Sequence, residues 1–290
     1  MKKNRRQSRA IVRLKEIWRR FCKNRIALAG FIVFMCIMMV VVFADVIVPY
    51  EMTEKPSPPD RLTPPCAEHP FGTDEFGRSV FARIIHAAPN SLFIGFTVSF
   101  GSLLVGGTLG IACGYFGGRF DNLIMRFLDM ISALPGSLLA IVMVAVLGPN
   151  MRNLIIALIV GHIAGFARMF RSVALSISEQ EYVKAAKAGG SSDLRIIFRH
   201  AVPNAASTLI INTTMSISGV ILSACSLSFI GLGVQPPKPE WGAMLNDARQ
   251  YFNGSPYLMV IPGLAILITS ISINMMGDGL RDALDPKLKS

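Results

Sequence analysis

The chain has 290 residues, 52% of them hydrophobic and only 16% charged, with a formal net charge of +11. That balance excludes a disordered chain and an ordinary water-soluble globule, and it leaves a membrane protein. The excess positive charge is local: residues 1–25 hold eleven Lys/Arg and one acid, Glu16. The cluster abuts the first long apolar run, which reads as positive-inside topology rather than nucleic-acid binding.

In chain order, Ile11, Leu14, Trp18 and Phe21 of the basic tail fall at helical spacing, the pattern of an amphipathic helix on the inner membrane surface. Ile26–Val48 is the cleanest span, with one charge, Asp45, near its end. It is too long for a signal peptide, and no small-residue cleavage site follows. Further spans are expected at Ser91–Phe116, Phe127–Leu147, Ala205–Gly231 and Tyr257–Met276, each near the roughly 20 residues that a bilayer needs. Leu154–Ala167 is short for a span, but it extends through Arg168 and Arg171 to Ser176 if those arginines reach the headgroups. Six transmembrane helices follow, an all-α polytopic fold with both termini in the cytoplasm. No ten-residue alternating pattern suggests a β-barrel. The 168–199 segment then lies inside with six basic residues against three acids, while the 232–256 loop lies outside with two of each.

Between spans one and two, six prolines from Pro49 to Pro65 enforce an extended or turn-rich path. His69, Asp74 and Glu75 could in principle ligate a metal, but nothing in their spacing fixes a geometry, and a folded loop with an acidic turn is the simpler reading. Of five cysteines only Cys66 falls in an outside loop, so no disulfide framework and no CxxC metal spacing exist.

The segment Glu181–Asn204 is polar, rich in small residues and helix-breaking, and it sits between apolar runs. Ser178 and Glu181 match an S-x-x-E capping box, predicting a helix from about Glu179. Gly189 and Gly190 permit a sharp turn, and Ser191 or Ser192 can cap a second short helix. In that helix Leu194, Ile197, Phe198 and Ala201 share one face, and Arg195 and Arg199 another. Pro203 marks the start of the next span. The result is a helix–turn–helix knob, shaped either to lie in a partner's groove or to serve as an amphipathic connector within its own bundle.

Two other patterns carry candidate residues. Asn212, Ser216, Gly219, Ser223 and Ser226 form one small polar stripe along the fifth span. It can line a hydrated path or pack closely against another helix. Trp241, Met244, Leu245, Tyr251 and Phe252 lie in the 235–255 loop, as a receptor contact or outer gate, or as an interfacial aromatic anchor. Asp129, with Arg126 as a possible partner, and His162 are the ionisable positions in or near spans three and four. They lie on different spans without a motif, which argues against a membrane-embedded enzyme. An ion-coupled secondary transporter would leave the knob without a task.

The knob resembles the EAA loop of ATP-binding-cassette importer permeases, E-A-A-x3-G-x9-I-x-L-P. Ala185, Ala186, Gly190 and Pro203 match; Lys184, His200 and Val202 depart from it. The departures are themselves similar to the peptide-permease branch, YVxAAxAxGxSxxxIIxRHxLPN. HPFGTDEFGRSVFARI at 69–84, SLSFIGLG at 226–233, PEWG at 239–242 and GDGLRDALDPKLK at 277–289 resemble the same branch. The nearest resemblance is to the C-type permease subunit of dipeptide, oligopeptide and nickel importers.

That resemblance implies a type I importer permease fold in a bacterial inner membrane. It implies three parts: a basic tail at 1–25, a first span with its loop at 26–90, and a core of five spans at 91–290 with a coupling loop at 178–204. It implies four kinds of partner besides the lipid bilayer and no nucleic acid: a homologous B-type permease, two cytoplasmic ATPase subunits, an extracytoplasmic binding protein, and the solute. Tyr182, Ala185, Ala186, Gly190, Ser191, Leu194 and Ile197 become the expected ATPase-coupling contacts. Asn212, Ser216 and Ser223 become pathway candidates, and Trp241 and Met244 receptor or outer-gate candidates. ATP and Mg would be used by the partner ATPases. This chain has no G-x-x-x-x-G-K-[ST] loop for phosphates, binds no cofactor, and is expected to be no enzyme. The solute is a peptide, with a nickel chelate or haem as the alternative.

Overall fold

The computed structural model describes residues 15–284. Ile11 and Leu14 lie outside this range. Helix α1 (15–23) leads into α2 (Arg25–Val42), which Asn24 caps by accepting from the N–H groups of Ile26 and Ala27. The Asn24 amide donates to Asp282 at 3.1 Å, fastening the start of α2 to the far end of the chain. Phe21 is buried in a cluster with Ala27 and Ala283, and Trp18 stacks on it at 5.8 Å. This stretch of the tail is therefore packed on the bundle.

Among the described residues five helices are long and apolar enough to cross a membrane: α2, α3 (Val80–Phe116), α6 (Met151–Ser178), α9 (Val202–Phe229) and α11 (Tyr257–Leu284). Helix α3 starts at Val80, well before the apolar run. Residues Val80–Asn90 include Arg83 and His86, which hide the helix from a hydropathy reading. Both side chains are buried and partnered, Arg83 by Asp74 through Nη1 while its Nε lacks a bond, and His86 by the Val48 carbonyl at 2.8 Å.

The sixth span corrects the expectation of one helix over Phe127–Leu147. Its residues are divided between α4 (Gly118–Ser132) and α5 (Gly136–Leu147), bent by 77° from each other. Pro135 disfavours helical backbone at Leu134, and the chain turns there. Helix α4 is amphipathic, with Arg119, Asp121, Arg126 and Asp129 among its apolar residues. Helix α5, with 12 residues, is about 18 Å long, less than the hydrocarbon core, so it completes a crossing only together with α4.

The tightest seam joins α3 to α6. Gly106, Gly110 and Gly114 recur every fourth residue on α3. A Cβ at Gly106 would lie 2.6 Å from the Ile163 carbonyl oxygen and one at Gly114 2.5 Å from that of Arg171, with Gly110 closer still to Ala167. Only hydrogen fits, so the two backbones meet directly, as small residues allow in lipid. A second core joins α2, α3, α9 and α11 around Phe34, Leu92, Ile221 and Ile273.

Candidate coupling knob and translocation cavity

The knob consists of α7 (Glu181–Ala188), a glycine turn and α8 (Asp193–Ile196). The capping box is not formed. Gln180 takes the N-cap position, and the Ser178 hydroxyl donates backwards to the Leu175 carbonyl at 2.8 Å because α6 runs to Ser178 itself. The turn closes as a Schellman motif: Ser191 N–H bonds Ala186 O and Gly190 N–H bonds Lys187 O, both at 3.1 Å. Gly190 carries the left-handed φ of +75° that the motif requires, and a Cβ there would meet nothing within 4 Å.

Ser192 sits at the next N-cap without a side-chain bond. The second helix does not stop before Pro203. It continues through a π turn at Ile197–Ala201 into α9, with Val202 N–H bonded to Ile197 O. The wider turn gives the Pro203 ring the room that a regular helix denies it.

The expected apolar face is split between the two sides of the knob. Val183, Ile196 and Ile197 are buried. Tyr182 is 42% exposed, Leu194 67% and Phe198 69%, and Ala185 and Gly190 are exposed beside them. Ala186 and Ser191 are half-buried. Ile197 thus supports the knob from beneath, and Phe198, its neighbour, takes the outward position.

Above the knob, ion pairs hold α4 to α6. Arg171 grips Asp121 through two bonds of 2.5 and 2.6 Å, and Arg168 bonds Asp129 at 3.0 Å and Ser132 at 3.2 Å. The two arginines expected at the headgroups are therefore tied to α4. The partner of Asp129 is Arg168 on another helix, not Arg126 on its own. A one-turn pairing was the natural reading from sequence, since no local pattern reveals a partner 39 residues away.

Two cavities of about 440 Å3 each open beside α9. Asn212 and Ser216 line one, Ser223 and Ser226 the other, and Gly136, Gly161 and His162 line both. Midway along the stripe, a Cβ on Gly219 would meet nothing within 4 Å, while Asn212, Ser216 and Ser223 are half-buried. Asn212 donates to Thr208 O, Ser216 to Thr213 O and Ser223 to Gly219 O, each at 2.8 Å. His162 donates from Nδ1 to the Leu158 carbonyl on its own helix, which leaves Nε2 as an acceptor in the neutral ring.

At the opposite end of the bundle, Trp241 and Met244 are 2% and 6% exposed and belong to the core. This corrects their candidacy as receptor contacts. Helix α10 (Trp241–Ala248) turns that face inward. Glu240, fully buried, caps it by accepting from the N–H groups of Gly242 and Ala243 and from the Ser91 hydroxyl. Asp74 is likewise structural. It accepts from two backbone N–H groups at 2.9 Å and from Arg78 at 2.7 Å, and pairs with Arg83. Burial pushes the nearby Glu75 and Asp247 carboxyls above their ordinary values. Among the described residues no group of three His, Cys, Asp or Glu could hold a metal ion.

The described residues thus form a bundle of spans with a broken helix and an exposed helical knob. Residues 106–290 match the family described as binding-protein-dependent transport system inner membrane component, and the chain belongs to that family. Residues 13–65 match the N-terminal transmembrane domain of oligopeptide transport permease C. The chain is 42% identical over 284 residues to the dipeptide transport system permease protein DppC of Alkalihalophilus pseudofirmus, covering 98% of this chain and 93% of that one. It is 40% identical over 277 residues to the glutathione transport system permease protein GsiD of Pectobacterium atrosepticum, covering 95% and 92%. The di/tripeptide permease DppC of Pseudomonas aeruginosa is 42% identical over 282 residues, covering 96% and 93%. The fold is similar to that of the MetNI methionine ABC transporter solved in inward-facing conformations, with a TM-score of 0.57 at 18% identity over 71% of this chain and 98% of that one. The chain is thus a multi-pass permease subunit of an ABC importer.

Proposed function

We propose that this subunit imports peptides across a bacterial inner membrane and that its knob couples the pathway to a cytoplasmic ATPase. The observation that carries the reading is the division of the knob into a buried underside and an outward face of Tyr182, Ala185, Gly190, Leu194 and Phe198. Exposed Leu and Phe beside small residues suit insertion into a groove of another protein. Ala186 and Ser191 complete the rim, and Ile197 backs it. The knob and both termini face the cytoplasm, in keeping with the basic residues 1–25.

A homologous B-type permease supplies the other half of the pathway, and an extracytoplasmic binding protein delivers the solute. Two ATPase subunits bind ATP and Mg and grip one knob from each permease. Their closure shifts a two-state equilibrium between inward-facing and outward-facing arrangements. Asn212, Ser216 and Ser223 line the pathway. Peptides are favoured over nickel chelates or haem because the similar permeases are named for dipeptides, di/tripeptides and glutathione.

Gly190→Trp tests the docking. The new ring meets nothing within this chain, but a side chain at the left-handed φ of +75° strains the turn by about 1–2 kcal/mol, so assembly is checked first by co-purification of the complex. In vesicles containing the whole transporter and its receptor, uptake per ATP hydrolysed should collapse; tight coupling in that variant overturns the reading. For the pathway, Asn212→Leu together with Ser216→Leu should lower uptake at unchanged assembly, and undiminished uptake removes both residues from the wall.

A further inference from the structure

The knob is joined to its bundle by yielding links. Helix α7 meets α6 through two non-helical residues, Glu179 and Gln180, and α8 meets α9 through the π turn. The knob is also held by its buried residues Val183, Ile196 and Ile197 and by the Asn204 amide, which donates to the Tyr182 hydroxyl at 3.0 Å.

One side chain ties both arms of the knob to α3. Tyr115, in the last turn of α3, donates its hydroxyl to the Asp193 carboxylate at 2.7 Å. The Lys187 ammonium lies 5.9 Å from the centre of the same ring. Lys187 belongs to α7 and Asp193 to α8, so both arms of the knob converge on one tyrosine. Helix α3 is the element on which such a brace is best founded, because Gly106, Gly110 and Gly114 fuse it to the α6 backbone. Arg171 of α6 holds Asp121 of α4. Gly161 and His162 of α6 line both cavities. The brace therefore ends on the rigid unit that carries the cavity wall.

We infer that Tyr115 is a positioning residue, a strut that fixes the angle of the knob against the α3–α6 pair so that displacement of the knob moves the helices lining the cavities. The inference rests on the docking reading above. A phenol–carboxylate bond is charge-assisted, and its exposure to water reduces its strength. The effect is accordingly a loss of transmission and not of folding.

In the complete transporter in vesicles, Tyr115→Phe and Asp193→Ala should each lower uptake per ATP hydrolysed roughly three- to tenfold, the scale of one such bond. ATP hydrolysis without receptor should stay unchanged. The double variant should be no worse than either single one, because both remove the same bond. Asp193→Asn keeps an acceptor for the hydroxyl and should retain coupling, which a merely structural acidic residue would not explain. Should Tyr115→Phe fail to assemble, the Asp193→Ala and Asp193→Asn pair carries the same comparison from the other end of the bond. Wild-type coupling in assembled Tyr115→Phe, or losses that multiply in the double variant, overturns the strut. If Gly190→Trp uncouples and Tyr115→Phe does not, only the strut is wrong; if neither uncouples, the docking reading falls as well.

Discussion

At the loop end of the bundle, Asp74 is 4% exposed and receives two backbone N–H groups and two guanidinium groups. At the knob end, Asp193 is exposed and receives one tyrosine hydroxyl. The loop end buries Trp241, Met244 and Glu240, whereas the knob leaves Tyr182, Leu194 and Phe198 in the open. Stranding a buried charge is costly, so the pairs of Asp74 with Arg78 and Arg83 hold the loop end in one arrangement. Regions that must move are drawn from segments with little buried surface and few bonds. The same chain thus fixes one end of its spans through buried charge and leaves apolar side chains exposed at the other.

The contrast is tested most strongly at Asp74. Asp74→Ala strands Arg78 and Arg83 in the interior and should destabilise the subunit by about 3–5 kcal/mol, read as a fall in the apparent melting temperature of purified protein. Phe198→Ser, at the other end, should stay within about 0.5 kcal/mol of wild type while lowering ATP-coupled uptake. Equal losses from the two would erase the distinction. The seam that links the ends comes next. Gly110→Leu forces α3 off the Ala167 backbone and should cost about 3 kcal/mol, at the upper end of overpacking effects, with partial loss of assembly.

The smallest effect is in pH. Folding raises the carboxyl pKa of Glu75 and Asp247 above the ordinary 4.5 and 3.8, chiefly by burial, so the folded state binds protons more tightly than the unfolded chain. Stability contributed by these two groups is absent above the raised values. It grows as pH falls through them and is complete below the ordinary ones. Wild type should therefore gain a little stability on mild acidification relative to Glu75→Gln with Asp247→Asn. A knob variant such as Phe198→Ser should keep the wild-type pH response, and a changed response would couple the two ends.

Much of the fold was legible. Long apolar runs mark five of the spans because hydrocarbon admits little else, and the polar insert at Glu181–Asn204 announces the knob. The break at Pro135 was missed because the apolar run Phe127–Leu147 continues across it, although the proline was the visible signal. The glycine seam also left a signal, the four-residue spacing of Gly106, Gly110 and Gly114. Tyr115 and Asp193 left none, being separated by 78 positions. Trp241 and Met244 looked like surface aromatics and sulfur in a polar loop; which face of α10 turned inward depended on the helices it met.

By itself the sequence determined that this is a polytopic helical membrane protein with a basic N-terminal tail and a glycine-turned knob, since hydropathy, charge and turn chemistry act over a few residues. Only the tertiary structure decided that α4 and α5 bend apart, that Arg168 and Arg171 serve α4, that Trp241 is core, and that a tyrosine from another span braces the knob. Those outcomes depend on which backbones approach closely enough for a carbonyl, a ring or a carboxylate to meet its partner, and separation along the chain carries no record of that distance.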